Sequence, residues 1–166
     1  MAKAISKLSV SLGIDPGKSG GLVSICGGLL SITPMPVTER DLWNWFDSYQ
    51  RHYIYSPFAV IEWIHPAIQG IGKAAMSKLY GNYMQLRGFL IAAGIPYEEV
   101  KPVEWQRFFS IPSRKKTETT YQWKDRLRGK AQQLFPELSI WGDSKAKQLV
   151  VCDALLIAEF CRRKHK

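Results

Sequence analysis

Residues 7–26, KLSVSLGIDPGKSGGLVSIC, decide the fold. Leu8, Val10, Leu12 and Ile14 alternate with Ser9, Ser11 and Gly13, and a period of two predicts a strand over 7–15. Asp15-Pro16-Gly17 ends it with strong turn residues. GLVSIC at 21–26 reads as a second strand. Gly27-Gly28 is a two-residue hairpin signal, and a third strand returns over 29–33. The chain therefore opens with a three-stranded meander.

Working outward, Thr38 is placed to cap a helix over 39–52 that carries Leu42, Trp45, Phe46 and Tyr49 on one face. FAVIEWI at 58–64 is a short apolar run, the pattern of a strand buried on both faces. Met76, Leu79, Tyr83, Leu86 and Leu90 keep helical spacing over 72–93, closed by Gly94. A strand is expected over 96–100, a mobile polar loop over 110–120, and helices over 120–135 and 144–162. One domain over 1–166 follows: an α/β three-layer fold with a mixed sheet flanked by helices.

Composition narrows the function. The chain has 166 residues and a formal net charge of +9, a balance that favours polyanionic partners. No stretch of about 18 apolar residues is present, so no membrane partner is expected. The N-terminal residues lack an apolar signal core. Cys26, Cys152 and Cys161 form no CxxC pair, which points to a reducing compartment. The expected location is the cytoplasm of a bacterium or phage-infected host, with an organellar matrix or stroma left open.

Three acids stand where the pattern asks for apolar groups. Asp15 ends the first strand. Glu62 interrupts 58–64. Asp153 has Leu149, Leu156 and Phe160 at i−4, i+3 and i+7, which sets it in the apolar stripe of the last helix. Each has a plain structural alternative: a turn-initiating Asp for the first, a buried ion pair for the others. Taken together they suggest one site, with two acids at strand ends and the third arriving on a packed helix. Carboxylates sharing a site repel, and a hard divalent cation, Mg²⁺ or Mn²⁺, relieves that repulsion. With a basic surface around it, such a site suits a phosphodiester backbone.

GIDPGKSGG at 13–21, VIEWIHP at 60–66 and CDALLIAEFCRR at 152–163 resemble the RuvC-type Holliday junction resolvases, especially their phage and organellar-type relatives. PYEEVKPVEWQRFF and KDRLRGKAQQLFPEL, in that order between them, resemble the same group. The resemblance spans about residues 9–163. It implies a ribonuclease-H-like fold with a central five-stranded mixed sheet. It also implies a homodimer that nicks a four-way DNA junction symmetrically by metal-dependent hydrolysis, leaving 5′-phosphate and 3′-hydroxyl ends. No small-molecule cofactor is implied. Asp15, Glu62 and Asp153 carry over as metal-binding catalytic acids, and Lys124 as a basic catalytic group near the phosphate. One departure stands out. The family has a fourth acid or a His three to five residues before Asp153, where this chain has Gln148, Leu149 and Val150. Asp143 lies ten residues back, about 15 Å along a helix. Two metals with a reduced ligand set, one metal, and weak activity all remain open.

For DNA contacts, residues 101–147 carry eleven Lys and Arg against five acids. Arg114, Lys115 and Lys116 read as a flexible phosphate clamp; a solvated basic face is the alternative. Trp63, His65, Gln69, Gly70 and Lys73 follow Glu62 and should overhang the site, where Trp63, Gln69 and Lys73 would meet bases or backbone. A core role is the alternative for Trp63. Gly81 and Gly88, on one helix face, would admit close approach of a dimer partner or of the sheet. Two other functions compete: a non-cleaving junction- or DNA-binding protein, and another ribonuclease-H-like nuclease. An actin-like phosphotransferase needs two lobes, for which the chain is too short.

Overall fold

The computed structural model describes residues 7–51, 54–68 and 70–165. The meander is there: β1 (Leu8–Asp15), β2 (Gly21–Cys26) and β3 (Leu29–Pro34). Gly27 and Gly28 both have positive φ, +55° and +91°, as a tight turn twisted like its strands requires. Next come α1 (Glu39–Gln50), β4 (Tyr55–Glu62), α2 (Lys73–Ala92), β5 (Tyr97–Val100), α3 (Pro102–Phe108), α4 (Thr120–Leu134) and α5 (Lys145–Lys164). A short 3-10 turn, Ser139–Gly142, precedes α5.

The five strands form one mixed sheet in the order β3-β2-β1-β4-β5. β1 pairs antiparallel with β2 and parallel with β4; β4 pairs parallel with β5. Helices cover both faces. Val10, Leu12, Ile14, Ala59 and Ile61 meet Leu42 and Phe46 of α1 and Tyr83, Leu86 and Leu90 of α2. On the other face, Val23, Ile25 and Val60 meet Trp105, Leu127, Ala131 and the whole inner length of α5. The expected three-layer α/β architecture is the one observed.

Thr38 does cap α1, accepting a hydrogen bond from the Asp41 N–H at 3.1 Å. α4 opens with a capping box between Thr119 and Gln122. Three expectations need correction. The strand expected over 58–64 starts at Tyr55, where it pairs with Leu8, and ends at Glu62, so Glu62 closes the strand rather than interrupting it. The helix α3 was not expected at all; Pro102 at its first position and the apolar Trp105 and Phe109 are its signals. Gly81 and Gly88 do not meet the sheet: a methyl group added at either would touch nothing within 4 Å.

β1 and α5 come unusually close. A Cβ on Gly13 would lie 2.2 Å from the Ala158 nitrogen and 2.3 Å from the Ala154 oxygen. The face of β1 towards α5 therefore has to be small, which accounts for Ser11 and Gly13 alternating with the large apolar residues. This contact sets the depth at which Asp153, one residue before Ala154, sits over the sheet.

Candidate active site

Strand alternation places two of the acids. Asp15 shares the α5-facing side of β1 with Ser11 and Gly13; Glu62 shares that side of β4 with Phe58 and Val60. Ile14 pairs with Ile61, so Asp15 and Glu62 end up side by side at the carboxyl ends of neighbouring parallel strands. Open α/β sheets hold their ligands at such ends. Asp153 arrives from α5 and is buried, 6% exposed. Lys124 reaches across from α4 and its ammonium is bonded to Asp153 Oδ2. The structure thus assembles Asp15, Glu62, Asp153 and Lys124 at one place.

Each side chain is held by a specific contact. Asp15 Oδ1 accepts the Gly17 N–H at 3.1 Å, so the turn-initiating role and membership of the site coexist. The Asn82 amide of α2 donates to the Pro16 carbonyl and pins that turn from the opposite layer. Gly20 packs against Asp15 so closely that a Cβ there would lie 2.7 Å from its carboxyl carbon. Glu62 Oε2 accepts the indole N–H of Trp105 at 2.9 Å. Trp105, fully buried on α3, is the site residue that sequence reasoning missed. Its only signal is a Trp two residues beyond a helix-opening Lys101-Pro102-Val103.

The electrostatics follow from burial. Loss of solvent, then the negative charge of Asp153, pushes the Asp15 carboxyl up to about 6, against the opposing pull of Lys124 and the Gly17 N–H. Burial, then Asp15 and Asp153, pushes Glu62 up to about 8, opposed by Trp105 and Lys124. Burial works to lower the Lys124 pKa, but Asp153, Asp15 and Glu62 outweigh it and hold the ammonium above its ordinary value. These are groups that repel one another and lack positive charge.

In chemical type this donor set suits a hard divalent cation. All its ligands are oxygen, and Asp153 Oδ1 is a buried acceptor with no hydrogen-bond partner. Among the described residues no three His, Cys, Asp or Glu side chains are placed to hold a metal ion together.

The fourth-ligand position is otherwise employed. Gln148 is buried; its Oε1 accepts from Arg128 at 3.2 Å and its Nε2 donates to the Asp143 carbonyl at 2.8 Å. Val150 lines an apolar cleft with Leu30, Ile32, Leu138 and Ile140. Asp143 precedes α5 altogether and lies 3.9 Å from Lys147.

Of the expected DNA-contacting residues, Lys124 is in contact with this centre itself. Half-buried Trp63 follows Glu62 directly; Lys101 lies 5.6 Å from its ring centre and His65 packs edge-on at 5.3 Å. Gln69 lies outside the described residues. Lys73 is the exposed first residue of α2. Arg114, Lys115 and Lys116 are exposed in a segment without helix or strand, as expected. Arg114 donates to the Glu118 carbonyl at 3.0 Å and to Thr120, while the Glu118 carboxylate pairs with Arg126 of α4 at 2.9 Å. The segment expected to be a mobile loop thus makes contacts with the helix that carries Lys124. Another buried acid, Glu159, belongs elsewhere: it is paired with Arg162 and Arg163 of its own helix at 2.7 and 2.6 Å.

No protein-family model matches the chain, and no curated protein sequence does. Solved structures do. Thermus thermophilus RuvC in complex with a Holliday junction substrate is similar with a TM-score of 0.55 and 14% identity, over 94% of this chain and 96% of that one. A second Thermus thermophilus RuvC structure gives a TM-score of 0.51 at the same identity and coverage. Likeness at this identity speaks for the backbone: the chain has a RuvC-like, ribonuclease-H-type fold.

Proposed function

We propose that this protein, a single nuclease unit of the phage or organellar RuvC type over 1–166, is a structure-selective endonuclease. It cuts four-way DNA junctions by metal-dependent phosphodiester hydrolysis. The observation that carries this reading is the convergence of Asp15, Glu62, Asp153 and Lys124 at the carboxyl ends of β1 and β4, in a fold shared with a junction-binding RuvC. Asp15, Glu62 and Asp153 hold magnesium or manganese. When bound, the ion polarises the phosphate and lowers the pKa of water.

The chain's own residues prepare that chemistry. Trp105 fixes one oxygen of Glu62, and the Gly17 N–H fixes one oxygen of Asp15, leaving the other oxygen of each as a ligand. Lys124 sets a positive charge beside the scissile phosphate, where charge builds during in-line displacement. Exposed Lys73, Arg114, Lys115 and Lys116, with Trp63 and Gln69, extend the contact to the arms and crossover. A pure DNA binder would gain nothing from gathering three acids near phosphate.

Two nicks in opposed strands need two sites, so the active species is a homodimer. Ser77, Gly81, Met84, Gly88 and Ile91 support it: they are exposed on α2 at alternating spacings of four and three. That is heptad spacing, with Met84 and Ile91 as its apolar members and small Ser77, Gly81 and Gly88 between and before them.

The test is a labelled immobile four-way junction and a matched linear duplex, incubated with Mg²⁺, Mn²⁺ or EDTA, beside Asp15→Asn. Paired nicks in the junction alone, dependent on metal and lost in Asp15→Asn, are expected. Tight junction binding without a cut in either metal replaces this reading by a non-cleaving junction binder. Cleavage of RNA–DNA hybrids in preference to junctions replaces it by another ribonuclease-H-like activity.

A further inference from the structure

Resting on the nuclease reading, a second feature at the same end of the sheet concerns how the substrate is gripped. Beside the Asp15 turn, on the α2 side of the sheet, lies an open cleft of about 460 Å³. Clefts that hold small ligands run from about 300 to 1,000 Å³. Met35 and Val37, from the link between β3 and α1, line it together with Ala75 and Leu79 of α2. Val37 is fully exposed, an apolar side chain that none of the described residues covers. Lys18 and Lys78 also stand at this cleft, neither is in an ion pair among the described residues, and no Asp or Glu lines it. Apolar walls beside two unpaired ammonium groups suit a flat ring that carries an anion, which is the chemistry of a nucleotide. A methionine thioether packs favourably against aromatic ring edges, and lysines neutralise phosphate.

The cleft is joined to the reacting centre through one turn. Asp15 Oδ1 accepts the Gly17 N–H, and the Gly17 carbonyl accepts the Gly20 N–H at 2.8 Å, so Lys18 stands at the corner of the turn that begins at Asp15. From the other side Asn82, which also lines the cleft, donates to the Pro16 carbonyl. A strand with one phosphate at Asp15 has its neighbouring nucleotide beside this turn. Ala75, Lys78, Leu79 and Asn82 follow at i, i+3, i+4 and i+7 and share one face of α2, whereas Ser77, Gly81 and Met84 lie on another. Pairing of two copies along that other face leaves the cleft open.

We infer that this cleft takes up one unstacked nucleotide of the DNA substrate, with its base between the apolar walls and its phosphate at Lys18 and Lys78. A branch point is where this costs least, because a base that is already unpaired leaves the stack most readily.

The experiment places 2-aminopurine, a base analogue that brightens when it leaves the stack, at each nucleotide flanking the crossover of an immobile four-way junction. The Asp15→Asn protein binds it in EDTA, so that no cut intervenes. One position should brighten on binding, and the same analogue in a matched linear duplex should not. Ala75→Met, added to this background, fills the cleft from an exposed helix position. It should abolish most of the brightening and weaken junction binding about fivefold or more, the lower end of what one stacked base contributes. Lys78→Gln should reduce both, whereas Lys7→Gln, at the opposite end of β1, should leave the brightening intact. Native circular dichroism is verified for each variant; should Ala75→Met not fold, Lys78→Gln decides. No brightening at any position overturns the inference, as does brightening that survives both Ala75→Met and Lys78→Gln. A changed oligomeric state in Ala75→Met with the signal intact also overturns it and assigns the cleft to a second copy of the chain. Junction cleavage by the wild type without brightening refutes the nucleotide cleft and leaves the nuclease standing. Brightening without cleavage by the wild type in Mg²⁺ or Mn²⁺ refutes the nuclease and leaves the cleft.

Discussion

Gly13→Ala is the sharpest test of how the site is positioned. The added methyl carbon would lie 2.2 Å from the Ala158 nitrogen, 2.3 Å from the Ala154 oxygen and 2.6 Å from the Ala158 Cα, where ordinary contact is 3.4–4 Å. All three atoms are helix backbone, so no rotamer change relieves the clash. α5 has to retreat from β1 by about 1 Å, and most of its length from Val151 to Cys161 is buried against other elements. Overpacking of this kind costs roughly 1–3 kcal/mol, and rigid backbone on both sides puts this case near the upper end. At about 2–4 °C per kcal/mol for a domain of this size, the melting temperature should fall by roughly 6–12 °C. Asp153 moves with α5, and a 1 Å misplacement of a reacting group costs on the order of 100-fold in rate. The control is Gly129→Ala in α4, where the methyl meets nothing within 4 Å. Relieving a helix-interior glycine there should stabilise by about 0.5–1 kcal/mol. Calorimetric melting in EDTA and junction cleavage in Mn²⁺ read both variants. A Gly13→Ala protein that melts within a degree of wild type, or a Gly129→Ala protein that falls as far, refutes the close-approach argument.

Other expectations follow from the same contacts. The Asp15 carboxyl binds its proton more tightly in the fold than in the unfolded chain, so in EDTA the protein should lose stability as pH rises from about 4 to about 6. Asp15→Asn keeps the Gly17 hydrogen bond and escapes that loss. Its urea midpoint should pull ahead of wild type between pH 4 and pH 7, and an equal gap at both would contradict the burial of an unrelieved charge. Trp105→Phe keeps the ring but removes the N–H on Glu62. It should raise the half-activating Mn²⁺ concentration for cleavage about tenfold, since hydrogen bonds to charged groups contribute roughly 1.5–3 kcal/mol, while an unchanged value would show that Trp105 only fills space. Glu159 is 1% exposed and, despite the upward push of burial, is held below its ordinary pKa by Arg162 and Arg163. The stability it confers is full above about pH 4.5 and lost as the pH falls through its folded pKa. Glu159→Ala should cost about 2 kcal/mol at pH 7 and progressively less as the pH falls below about 4.5, measured by chemical denaturation.

Local periodicity made much of this molecule readable. The alternation of Leu8, Val10, Leu12 and Ile14 is both the strand and its buried face, because successive side chains of a strand point to opposite sides. Gly27-Gly28 is the hairpin because its geometry demands positive φ. Asp15, Glu62 and Asp153 were conspicuous because an acid in an apolar pattern needs a compensating partner, and that cost is a property of the residue itself. What periodicity could not convey is which partner each acid has. Glu62 meets a tryptophan 43 positions later, and Asp153 meets a lysine 29 positions earlier. Neither pairing leaves a local pattern; both arise when helices are laid on the sheet at a distance set by Gly13. The contacts of the loop around Glu118 and the employment of Gln148 are of the same kind. The sequence by itself determined the layers, the strand faces and the presence of three misplaced acids, since these depend on interactions along a single element. Only the tertiary structure decided that the acids meet, that Lys124 and Trp105 join them, and that Gln148 does not, since those contacts exist only once distant segments share one dry space.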